Sequence, residues 1–73
     1  MKMNLKVSFI GGGNMGEAML FAILDKGLAR PETIWVSDIS EARREHLKQR
    51  YGVAVMNDNR EAARRGEIVI LAI

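Results

Sequence analysis

The chain has no cysteine, which closes off both a disulfide framework and a thiolate metal centre. Its one histidine, His46, has no second histidine with which to hold a metal, and no acid pair or Ser-His-Asp set can be assembled. No catalytic residue and no metal ligand is therefore expected within it. Charge of one sign is also scarce. Eleven Lys and Arg face nine Asp and Glu, a formal net of +2 with no basic block, so nucleic acid is not an expected partner. No apolar run approaches the roughly 18 residues of a membrane span, and Met1 to Asn4 is not a basic-plus-apolar secretory start. No membrane partner is expected, and a cytoplasmic location follows by default. Aromatics are few, and Trp35 and Tyr51, with no basic groove beside them, read as packing residues.

What remains is the composition of a folded domain: 48% hydrophobic and 27% charged residues over 73 positions, room for one core and one site. Leu5 to Ile10 (LKVSFI) is a β-rich apolar run stopped by three glycines. From Asn14 to Lys26 the spacing turns helical, with Met15, Ala18, Met19, Ala22 and Ile23 on one stripe and Gly27 as the terminator. Leu20, Phe21 and Leu24 fall on the opposite face, which implies a helix covered on both sides. Ile34 to Ser37 (IWVS) reads as a second strand closing at Asp38. Ser40 then caps a helix Glu41–Arg50 whose thin apolar stripe is Ala42 and Leu47, with Gly52 just past its end. His46 lies among its charges as a solvated side chain without a partner. Val53 to Met56 forms a third strand, Asn57 and Asp58 cap a short helix NREAARR, and Glu67 to Ile73 (EIVILAI) is a continuous apolar run. Such a run is what a parallel strand covered on both faces looks like. The order β-α-β-α-β-α-β with right-handed crossovers gives an α/β domain, a Rossmann-like doubly wound parallel sheet with strand order 3-2-1-4.

Gly11, Gly13 and Gly16 fit GxGxxG at the place where that pattern has a mechanism, between a strand and a helix. Gly11 permits the sharp turn, Gly13 leaves the backbone open to a pyrophosphate, and Gly16 lets helix and strand pack closely. The free amides from about Gly13 to Gly16 then face the phosphates with the positive end of the helix dipole behind them. No GK[ST] ends the turn, which excludes a mononucleotide P-loop. Asp38, 22 residues beyond Gly16, is the acid that accepts from the adenine ribose hydroxyls and favours NAD(H). Ser37, Ser40, Arg43 and Arg44 could instead hold a 2′-phosphate, although each arginine also suits a solvated helix face. Asn59 could bond the adenosine side or act as a local cap. The fourth strand pairs beside the first, opening the switch-point crevice that Leu71, Ala72 and Ile73 would reach.

VSFIGGGNMGEAM, followed by VSDIS, YGV, DN and a final ILAI, resembles the amino-terminal region of the pyrroline-5-carboxylate reductases, and the likeness covers essentially all 73 residues. GGGNMG with Glu17 and Ala18 is narrower than GxGxxG, since the 3-hydroxyacid and 6-phosphogluconate dehydrogenases usually read GLGxMG. The resemblance implies reduction of a cyclic imine to proline, the last step of proline synthesis, with hydride from NADPH or NADH. It places the cofactor loop on Ile10, Gly11, Gly12, Gly13, Asn14, Met15 and Gly16. Ser37, Asp38 and Ser40 take the ribose and 2′-phosphate region, Asn59 the adenosine contact, and Ala72 and Ile73 the strand end flanking the nicotinamide. NADP(H) is the family's usual cofactor, and the acid at Asp38 opens NAD(H). Residues 1–73 are thus expected to be a partial NAD(P)-binding domain, inactive alone. The carboxy-terminal substrate and dimerisation domain would be absent, and the parent would be a homo-oligomer acting on a small imine. The alternatives are a non-catalytic nucleotide-sensing module and the cofactor domain of a related 3-hydroxyacid dehydrogenase.

Overall fold

The computed structural model of the chain describes residues 4–73. The sheet begins with β1 (Val7–Ile10), whose four residues are all buried. Helix α1 (Asn14–Asp25) follows, and Gly27 at φ 69° supplies the left-handed residue that ends it. A 3-10 turn at Pro31–Thr33 leads into β2 (Ile34–Ser37). Helix α2 (Glu41–Tyr51) is capped by the Ser40 hydroxyl, which accepts from the Arg43 amide, and closes on Gly52 at φ 75°. Then come β3 (Ala54–Met56), α3 (Asn59–Arg65) and β4 (Ile68–Leu71). The four strands are parallel in the order β3-β2-β1-β4, with Val7 opposite both Ile34 and Ile68.

Alternation along β1 and β2 sorts the two layers. Val7, Phe9, Ile34 and Val36 join Leu20 of α1 and Leu47 of α2 in one buried cluster. Ser8 points the other way, and its buried hydroxyl donates to the Ala62 carbonyl of α3. So α1 and α2 cover one face, and α3, reached by the crossover to β4, covers the other.

Three expectations about faces fail. The buried side of α1 is Gly16 and Leu20 with half-buried Ile23 and Leu24, while Met15, Ala18, Met19 and Ala22 are exposed and Phe21 with them. The phase is set by Gly16, which must sit against the Gly11 carbonyl, and Leu20, Ile23 and Leu24 follow it at helical spacing. In α2, Leu47 is buried and Ala42 is exposed, because the inward row runs Arg43, Leu47, Tyr51. In β4 the apolar run is an edge strand whose Ile68, Val69 and Leu71 are exposed, so among the described residues it is not covered on both faces. The strand and helix boundaries otherwise fall within two residues of expectation, β4 ending at Leu71 and not Ile73. Of the two expected caps of α3 only Asp58 acts, accepting from the Arg60 and Glu61 amides.

Candidate functional site

The carboxyl ends of β1, β2 and β4 meet at one edge of the sheet. Gly11 donates its amide to the Ser37 carbonyl at 2.8 Å, and Ala72 donates to the Ile10 carbonyl at 2.9 Å. Beside these bonds the chain turns through Gly11 at φ 100°, a conformation open to glycine and strained for other residues. A side chain there has no room, since an added Cβ would lie 2.7 Å from the Ala72 carbonyl oxygen. Gly16 is equally confined, with the Gly11 carbonyl oxygen 2.8 Å from the position a Cβ would take. Gly13 differs. Among the described residues no atom beyond its chain neighbours lies within 4 Å of its would-be Cβ, so its bareness serves no packing contact there.

A cleft of about 410 Å³ opens over this turn. Ile10, Gly11, Gly12 and Gly13 form its floor, Ser37, Asp38 and Asn59 one wall, and Ala72 and Ile73 the other. Nine of the thirteen residues expected at the site thus share one cavity. Asn14 and Met15 are exposed on the first turn of α1, outside the lining. Gly16 is buried beneath the loop, and Ser40 spends its hydroxyl on the cap of α2. Ile39 also lines the cleft; almost fully exposed between the polar residues Asp38 and Ser40, it carries no signal in the sequence. Among the described residues no side chain caps the start of α1, which leaves its amides and dipole directed outward.

The second wall is built around Asp38. One carboxylate oxygen accepts from the Gly12 amide and the other from the Ser40 amide, both at 2.8 Å, so the acid ties the glycine turn to the end of β2. Ser37 donates its hydroxyl to the Asn59 side-chain oxygen, which fixes that amide at the mouth of the cleft. Arg43 and Arg44 are neither free nor merely solvated. Arg44 donates to the Asp38 carbonyl at 2.7 Å, and Arg43 reaches the Gly12 carbonyl and Glu17.

Glu17 is the residue whose importance the sequence hid. It sits in the first turn of α1 and gathers Arg43, His46 and Tyr51 from α2, with the Tyr51 hydroxyl donating at 2.7 Å and Arg50 forming a longer ion pair at 3.8 Å. His46 therefore has a partner after all, 3.1 Å from the Glu17 carboxylate. The spacing of Arg43, His46 and Arg50 along one side of α2, opposite a single acid, was the available clue. The Tyr51 and His46 hydrogen bonds outweigh the cost of burial and, with a smaller contribution from Arg43, hold the Glu17 carboxyl at a pKa of about 2 against an ordinary 4.5. Tyr51 is pushed the other way by burial and by its bond to Glu17. Because the folded pKa of Glu17 is depressed, its contribution to stability is complete above 4.5 and is lost as the pH falls toward 2. Replacing it by Gln should cost about 1–2 kcal/mol at pH 7. Denaturant titrations at stepped pH should show the gap between the two proteins closing between pH 4.5 and about 2. A gap independent of pH would mean that the ionised carboxylate is not what stabilises α1 against α2.

Comparison with known proteins agrees with this architecture. A pyrroline-5-carboxylate reductase from Methanosarcina acetivorans is 37% identical over 70 residues, which are 96% of this chain and 26% of that protein. One from Synechocystis sp. is 39% identical over 71 residues, 97% of this chain and 27% of that protein. The chain spans about a quarter of the length of these relatives. A solved pyrroline-5-carboxylate reductase from Coxiella burnetii superimposes with a TM-score of 0.87 at 31% identity, over 96% of this chain and 26% of that one. The resemblance read from GGGNMG is thereby borne out. Among the described residues no helix is long and apolar enough to cross a membrane. Residues 6–73 match the model of the family described as NADP oxidoreductase, coenzyme F420-dependent, and the chain belongs to that family.

Proposed function

We propose that this chain is the NAD(P)H-binding portion of an oxidoreductase that reduces pyrroline-5-carboxylate to proline. The observation that carries the reading is the open space at Gly13 beside the uncapped start of α1, in a cleft at the carboxyl ends of the neighbouring strands β1, β2 and β4. The donor set fits a pyrophosphate: backbone amides and a helix dipole, with no side chain in the way. The bound dinucleotide would supply the hydride. The chain's own residues bind and orient it, Gly13 to Gly16 toward the phosphates and Asp38 toward the adenine ribose. Asn59 stands at the adenosine side, and Ala72 and Ile73 flank the nicotinamide half. The imine would be held, and the dimer formed, by parts of the protein beyond these residues, as the relatives' greater length allows.

Between the two dinucleotides the reading is NADH. Asp38 brings a carboxylate to the cleft wall, and the two arginines whose charge would offset a 2′-phosphate are engaged with Gly12, Glu17 and the Asp38 carbonyl. Titration of the chain with each cofactor, followed through the single indole of Trp35, should give saturable binding with NADH the tighter ligand. Asp38→Asn removes the charge, and the ratio of the NADPH to the NADH dissociation constant should fall about tenfold, a difference of about 1.4 kcal/mol. Tighter binding of NADPH to the unsubstituted chain would overturn the assignment of NADH. Binding of neither by the folded chain would overturn the site itself as a self-sufficient one.

A further inference from the structure

Gly12 is held by both of its backbone polar groups. Its amide donates to Asp38, and its carbonyl accepts from the Arg43 guanidinium, with Nε at 2.8 Å and Nη2 also in contact. The same Nη2 donates to Glu17 at 2.9 Å, so the guanidinium is pinned from a second direction. Arg43 is only 30% exposed, which is low for an arginine on an outer helix.

The consequence lies in the peptide that joins Gly12 to Gly13. Two glycines flank it, so it can rotate by a concerted change of the adjoining dihedrals at little steric cost. A trans peptide is planar, with its carbonyl and amide antiparallel. Directing the Gly12 carbonyl toward α2 therefore directs the Gly13 amide the opposite way. Reversal would turn a carbonyl dipole to where the amide now points and oppose an anion at the start of α1. A bidentate guanidinium is suited to preventing that, because two N–H groups in a rigid fork fix both the position and the direction of the oxygen.

We propose that Arg43 is a positioning residue that locks the Gly12–Gly13 peptide in the orientation that presents the Gly13 amide to the dinucleotide phosphates, and is not a 2′-phosphate ligand. The proposal rests on the dinucleotide reading for its ligand, while the lock itself is a property of the free chain. Glu17, with Tyr51 and His46 behind it, keeps the guanidinium in place.

The test compares the unsubstituted chain with Arg43→Gln. Amide resonances recorded without ligand should show Gly12 and Gly13 displaced or broadened and those of β3 and α3 unmoved. NADH and NADPH should both weaken, about tenfold and by the same factor. Glu17→Gln should move the Gly13 amide in the same direction by less. A loss confined to NADPH would identify Arg43 as a phosphate ligand and overturn the proposal, as would a Gly13 amide that does not move. If the unsubstituted chain binds neither cofactor, the dinucleotide reading falls separately, and the Gly13 resonance still decides whether the lock exists. Should Arg43→Gln fail to fold, Arg43→Lys keeps the charge beside Glu17 without the fork, and its Gly13 amide should be displaced by a smaller amount.

Discussion

Gly11→Ala is expected to remove a large share of the stability of this domain. Two costs act together at that position. An alanine at φ 100° is strained by about 1–2 kcal/mol, since its Cβ crowds the following carbonyl. The new methyl would also lie 2.7 Å from the Ala72 carbonyl oxygen and 3.1 Å from the Ala72 carbonyl carbon and the Ile73 side chain. These neighbours are largely backbone at the end of β4, held to β1 by the bond from the Ala72 amide to the Ile10 carbonyl, so they cannot yield without losing strand pairing. Forced overpacking of this kind costs about 1–3 kcal/mol more. A sum of about 2–5 kcal/mol is a large share of the roughly 4–11 kcal/mol available to a domain of this size. The thermal midpoint by circular dichroism should drop by about 15 °C or more. A midpoint within a few degrees of the unsubstituted chain would show that the turn tolerates a Cβ and that Gly11 is not the residue that shapes it.

How much of this was legible beforehand depends on what each residue answers to. The strands, the three helices and the sheet order follow from local pattern: apolar runs bounded by glycine, caps at Ser40 and Asp58, and left-handed glycines at Gly27 and Gly52. The glycine turn was legible because each of its glycines answers to a distinct local demand. The inward face of α1 was not, because the residue that sets it, Gly16, has no side chain and so contributes nothing to a hydrophobic stripe. Its phase comes from contact with Gly11, which is tertiary. The Glu17 cluster was hidden for a related reason. Each member looks like an ordinary surface charge on its own helix, and only the packing of α1 beside α2 brings them within hydrogen-bond reach. The exposed apolar residues of β4 and of the outer side of α1 illustrate the limit of pattern reading. Composition says that such residues prefer burial, and it does not say against what.

Gly13→Val should do the reverse of Gly11→Ala: leave the fold nearly intact and remove cofactor binding. At φ −75° and ψ −165° Gly13 already occupies extended backbone that valine adopts readily, and among the described residues no atom beyond its chain neighbours stands within 4 Å of the incoming Cβ. Replacing glycine by valine at the cap of α1 weakens the helix start by about 1 kcal/mol or less, a shift of the midpoint of a few degrees. The branched side chain, however, fills the space in front of the α1 amides. A phosphate oxygen has to come within about 2.9 Å of an amide nitrogen to bond it, and two methyl groups on the adjoining residue hold it farther out. The donors of the loop then remain present and out of reach, and the binding of NADH should weaken at least about a hundredfold, or about 2.7 kcal/mol. The pair of substitutions separates what one motif combines. If the chain binds through this loop, the variant that keeps its melting curve loses its ligand, and the variant that loses its melting curve does so without any ligand being involved. Retained NADH affinity in folded Gly13→Val would place the phosphates somewhere other than the start of α1, and the cleft would then have to be read without its central contact.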